Sequence, residues 1–81
     1  MEIKKGTVVI STAGHDKGDL MMVIGFETQK VLVCDGRQRP YSRPKKKNPK
    51  HLQATSYILN EEDILTDRGL RKALFRLKND I

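Results

Sequence analysis

Apolar residues fall along this chain in two rhythms, short β-branched or alternating runs up to Leu59 and helical spacing beyond it. Thr7-Val8-Val9-Ile10-Ser11 is β-branched and stops at Thr12-Ala13-Gly14-His15-Asp16-Lys17-Gly18-Asp19, a stretch dense in turn formers, which predicts a strand and then a loop. Leu20-Met21-Met22-Val23-Ile24-Gly25-Phe26 is too short for a typical buried helix and contains Gly25. With Val31-Leu32-Val33-Cys34 after the polar residues 27–30, it predicts two strands of a meander. Asp35-Gly36 tolerates the positive φ of a type I′ turn, so the chain is expected to reverse there into residues 37–41. His51-Leu52-Gln53-Ala54-Thr55-Ser56-Tyr57-Ile58-Leu59 alternates imperfectly and is long enough for a closing strand. Four to five short strands of this kind predict a small barrel or rolled sheet over residues 1–59.

Residues 60–81 form a helical extension. Asn60 followed by Asp63 resembles a capping arrangement, with Glu61, Glu62 and Asp63 where a helix N-terminus favours negative charge, so a short helix is expected to begin at Asn60. Leu70, Ala73, Leu74, Leu77 and Ile81 repeat at i, i+3, i+4, i+7, and Thr66 offers a second cap. An amphipathic helix over 67–79 follows, with Arg71, Lys72, Arg76 and Lys78 placed late, as the helix dipole favours. Its stripe of Leu70, Leu74 and Leu77 suits packing on the sheet, since so small a sheet needs added apolar burial. The same stripe also suits docking on a protein partner, and the basic face suits further phosphate contacts beside the 37–50 loop.

The fold class is therefore mainly β with a C-terminal helix. At 81 residues, with no tryptophan, the chain has material for one small core. The start Met-Glu-Ile-Lys-Lys leads into a strand pattern instead of a signal-peptide core, and no apolar run approaches the roughly 20 residues that span a bilayer. Cys34 is the only cysteine, which excludes a disulfide framework and fits a reducing compartment; a cytoplasmic, monomeric protein without membrane contact is expected.

Charge changes the picture more. Residues 1–36 carry four basic and five acidic side chains and residues 51–81 five of each, whereas residues 37–50 carry seven basic and none acidic. The net charge of +6 thus belongs to Arg37-Gln38-Arg39-Pro40-Tyr41-Ser42-Arg43-Pro44-Lys45-Lys46-Lys47-Asn48-Pro49-Lys50. Such a run is often only a solvated face. Here it is internal, flanked by predicted strands and stiffened by Pro40, Pro44 and Pro49, so its cations are preorganised for a polyanion.

No catalytic, cofactor or metal constellation assembles. His15, Cys34 and His51 are potential zinc ligands at spacings that match no recurrent motif, and Cys34 in an apolar run reads as a core residue. Gly14-His15-Asp16-Lys17-Gly18 lacks the Gly-Lys-Ser/Thr ending of a phosphate loop. An enzyme is not expected.

Residues 6–24, from Gly6-Thr7-Val8-Val9-Ile10 through Gly14-His15-Asp16-Lys17-Gly18-Asp19 to Met22-Val23-Ile24, resemble the KOW motif, with Gly14 matching its central glycine. Val31-Leu32-Val33-Cys34-Asp35-Gly36-Arg37 and Lys50-His51-Leu52 extend the resemblance to the KOW-bearing large-subunit ribosomal proteins of archaea and eukaryotes, and look closer still to small bacterial KOW-domain proteins described as RNA-binding. It covers about residues 3–54 and departs from the ribosomal relatives in residues 43–50 and after Leu59. The resemblance implies an SH3-like barrel, and contact with RNA by the loop around Gly14, His15 and Lys17 and by the basic loop ending at His51. Other KOW domains bind proteins of the transcription machinery, which makes an adaptor docking through the C-terminal helix the alternative.

The resulting expectation is non-catalytic binding of structured, ribosome-associated RNA, on ribosomal RNA or an assembling large subunit. Arg37, Arg39 and Arg43 would fork onto phosphates, Lys45, Lys46, Lys47 and Lys50 would act as point charges, and Lys17 and His15 would flank them. Asp16 and Asp19 would orient turns through side-chain to backbone hydrogen bonds. His51 would stack on a base or fill the sheet edge, and Tyr41 would stack on a base or face the core.

Overall fold

The structure, a computed structural model, describes residues 2–60, 62 and 64–80. Strands β1 (Thr7–Ser11), β2 (Leu20–Glu27), β3 (Lys30–Cys34), β4 (Lys45–Lys47) and β5 (Leu52–Ile58) precede one helix, α1 (Asp67–Lys78). They form a single sheet in the order β4-β3-β2-β1-β5, antiparallel throughout. In a flat sheet the edge strands β4 and β5 would lie about 19 Å apart. Only residues 48–51 connect them, and these are wound into a 3-10 turn over Pro49–His51, so the sheet must curl strongly to bring its edges together. Register shifts between Thr7 and Val9 and between Val23 and Gly25 supply local bends. The sheet curls without closing: β4 and β5 remain its edges.

Strand alternation sends adjacent apolar residues to opposite faces, which is why β1 to β3 read as nearly continuous apolar runs. Val9, Met21, Val23, Val31, Val33 and Leu52 fill one core, with Ile3 packed against it. Their neighbours Val8, Met22 and Cys34 fill a second core with Ile64, Leu70 and Leu74, so the helix covers the other face of the sheet. Leu70 is fully buried, and Cys34 is a core residue as the sequence indicates.

The helix matches its expected span. Thr66 Oγ1 accepts a hydrogen bond from Gly69 N at 3.0 Å, the capping role the sequence assigns it. At the earlier cap Asn60 Oδ1 accepts from Glu62 N at 3.0 Å, while Glu61 and Asp63 lie outside the described residues.

The segment after β3 differs from the expected hairpin. Residues 37–41 form no strand, and the strand that pairs with β3 on the side away from β2 is β4, inside the segment read as a loop. Gly36 does take positive φ, at +76°, but it lies beneath the helix, where a Cβ would collide with the Asp67 carbonyl oxygen. Tyr41 N donates to Asp67 Oδ1 at 2.7 Å and Tyr41 Oη to Ile64 O at 2.9 Å, which ties the segment to the start of the helix. A wider turn, closed by Asp35 N and Gly36 N donating to Arg39 O, takes the place of the two-residue turn.

Candidate nucleic-acid interface

β4 is built from three consecutive lysines, and strand periodicity divides them. Lys45 and Lys47 point to one side, Lys46 to the other. Lys47 is only 6% exposed, and its ammonium donates to Ser11 Oγ (3.0 Å), Ala13 O (3.0 Å) and Asp16 Oδ1 (3.1 Å). An ammonium has three donors, and all three have acceptors. Lys45 Nζ lies 3.0 Å from Asp16 Oδ2, so one carboxylate receives two cations. Ser11 Oγ donates to the same carboxylate at 2.7 Å. Lys46 instead pairs with exposed Glu27 at 2.8 Å.

Asp16, at 8% exposed, is therefore a buried keystone joining edge strand β4 to the loop after β1. Burial alone would raise its pKa. Hydrogen bonds from Ser11, Lys45 and Lys47, with the Lys47 charge, outweigh that and hold the carboxyl well below the usual carboxylate range. The expected side-chain to backbone turn bond of Asp16 is replaced by bonds from three side chains, because the curl of the sheet carries the lysines to it. Lys47 is accordingly not part of the exposed cation set, and Lys45 and Lys46 enter it already paired.

The arginines are placed differently. Arg37, Arg39 and Arg43 are exposed, and with Lys50 they make no ion pair among the described residues. Their backbone is pinned: Asp35 Oδ1 accepts from Arg37 N (2.8 Å) and Arg39 N (2.9 Å), and Arg39 O accepts from Asp35 N (2.9 Å) and Gly36 N (3.2 Å). Arg43 N donates to Pro40 O at 2.9 Å. Arg39 and Lys45 share a hollow of about 50 Å³ with His15, next to Asp16, Asp19 and Asp35.

His15 and Lys17 are exposed on the loop after β1, which is held by bonds from Lys17 N to Gly14 O, Gly18 N to Ser11 O and Asp19 N to Asp16 O. Gly14 has φ +88°, and a Cβ there would stand 3.5 Å from Asp16 Oδ1. Thr12 N donates to His51 O at 2.9 Å, which sets exposed His51, with Lys50 before it, beside this loop. Of the two alternatives for Tyr41, the core is the one realised: its ring packs against the helix-side cluster.

Phe75 is absent from the expected set and lies near Arg37 with Arg71, Lys72 and Arg76, cations of the basic helix face expected beside the loop. An open groove of about 650 Å³ is lined by Arg37, Arg71, Lys72, Phe75 and Arg76. Phe75 is 68% exposed. The helical spacing shows Arg71, Lys72, Phe75 and Arg76 to share a side of α1, but nothing local places that side against Arg37. The apolar stripe proposed for partner docking is otherwise used, since Leu70 and Leu74 are buried and Ala73 and Leu77 pack beside them.

Among the described residues no group of three or more His, Cys, Asp or Glu side chains is placed to hold a metal ion, and no helix is long and apolar enough to cross a membrane. Compared with known proteins, the chain matches no family model and no curated protein.

Proposed function

We propose that the protein binds structured RNA without catalysis, as a KOW-type, SH3-like domain acting on ribosomal RNA or an assembling large ribosomal subunit in the cytoplasm. One observation carries this: the exposed arginines of residues 37–43 sit on backbone already fixed to the sheet and the helix. A phosphate chain that meets them costs little loop ordering, and each guanidinium presents a planar fork suited to phosphate. Lys50 and Lys17 add exposed point charges, and His15 and His51 lie on the same loops. The resemblance of residues 6–24 to the KOW motif supports the same polyanion.

If Arg37, Arg39, Arg43, Lys50 and Lys17 neutralise about five phosphates, log K should fall against log salt with a slope of roughly −3.5 to −4.5. Replacing the three arginines by glutamine should flatten that slope by about two units and leave the circular dichroism unchanged. A slope unaffected by the triple substitution removes the loop from the mechanism. Lysines 45 to 47 make a poorer test, since removing Lys47 takes a buried partner from Asp16.

A further inference from the structure

The helix-side groove is the part of the cationic surface that the basic loop does not explain. We infer that it takes one unpaired nucleotide, the base stacking on the Phe75 ring and the flanking phosphates resting on Arg37, Arg71, Lys72 and Arg76. This rests on the RNA-binding reading above and narrows it to RNA with a single-stranded end, loop or bulge.

A large exposed aromatic usually has a bland explanation, being one of several apolar side chains that a small protein cannot cover. Leu65, at 80% exposed, is such a residue, since no cation lines the surface hollow it shares with Ile24, Tyr41 and Ile64. Phe75 is different because four cations line the same groove. None of the four makes an ion pair among the described residues. Concentrating like charges is unfavourable unless an anion joins them, and a ring amid them adds nothing to an anion unless that anion carries a flat apolar group. A nucleotide has both parts, and base stacking on aromatic side chains is tolerant of base identity.

Geometry gives the site a direction. Beyond Arg71 and Phe75 the surface continues into a smaller hollow of about 190 Å³, which Asp19 and Asp35 line together with Arg37 and Lys78. Asp19 and Asp35 offset the cations of that hollow, whereas no carboxylate among the described residues lines the groove itself, so phosphate is favoured on the Lys72 and Arg76 side. Arg37 belongs to both the pinned loop and the groove, which joins the basic loop to α1.

The test uses the full chain, a labelled twelve-nucleotide oligouridine and a blunt RNA duplex. Phe75→Ala should weaken oligouridine binding by about ten- to a hundredfold, with duplex binding unchanged and the salt slope intact. Phe75→Trp should restore it. Because the chain has no tryptophan, that variant also gives a lone indole, excitable apart from Tyr41 and Tyr57, whose emission should be quenched saturably by oligouridine. Arg71→Gln, Lys72→Gln and Arg76→Gln together should flatten the oligouridine salt slope by about two units. Full oligouridine affinity in Phe75→Ala overturns the groove, while the loop is still tested by its own arginine variants. Quenching by polyglutamate but not by oligouridine assigns the groove to an acidic peptide and also overturns the inference. If the unaltered protein binds neither RNA, both proposals fall together.

Discussion

Asp16 is the residue on which the most other groups depend, because it collects Ser11 from the end of β1 and Lys45 and Lys47 from β4. Its pKa is depressed in the folded state, so it contributes stability that is complete above its unfolded value near 4 and is lost as pH falls toward the lower folded value. The urea midpoint should therefore be level from about pH 7 to pH 5 and decline steeply below pH 4. Asp16→Asn should be less stable at neutral pH by roughly 3 kcal/mol, since it leaves the buried Lys47 ammonium without its counter-charge. Its acid limb should be shallower than that of the unaltered protein. An equally steep limb in both would show that other carboxylates govern the acid transition.

At the scale of elements, β4 shows how one strand turns identical residues into different ones. Lys46 pairs with Glu27 in water, where such bridges contribute about 0.2–1 kcal/mol, and Lys46→Ala should lower stability by no more than that. Lys47→Ala removes a partner from a buried carboxylate and should cost about 2 kcal/mol or more, with a fall in Tm of roughly 10 °C. Differential scanning calorimetry of the two variants decides between a strand and a mobile lysine loop, for which both changes would be small. The helix was legible from its 3.6 spacing and its Thr66 cap because both are local. Strands β1, β2, β3 and β5 were legible for the same reason. β4 was not, because three lysines after Pro44 carry no β signal of their own. They become a strand by pairing with Val31, Leu32 and Val33, residues whose hydrogen-bonding edge is invisible in a linear reading.

For the molecule as a whole, net charge and its display are separate matters. The 37–50 segment holds the excess cations, yet folding withdraws Lys47, pairs Lys45 and Lys46, and adds Arg71, Lys72 and Arg76 from the helix beside Arg37. The positive surface is thus partly different from the positive sequence. If that surface meets large-subunit RNA, the protein should co-sediment with the large ribosomal subunit on a gradient at low salt and move to the top fractions at high salt. The arginine triple variant should move there at a lower salt concentration. Sedimentation only at the top under all conditions would refute ribosome association while leaving binding to other RNA open to direct titration.

The sequence by itself determined the parts governed by neighbours a few residues apart: four strands, the capped helix, the buried cysteine and the total charge. Only tertiary structure decided which cations face solvent. The reason is distance along the chain: Lys45 and Lys47 meet a carboxylate 29 and 31 residues away, and Tyr41 is fixed by Asp67 across 26. Periodicity and turn chemistry act within a few residues, whereas the curl of a sheet brings together side chains whose separation in sequence gives no sign that they will meet.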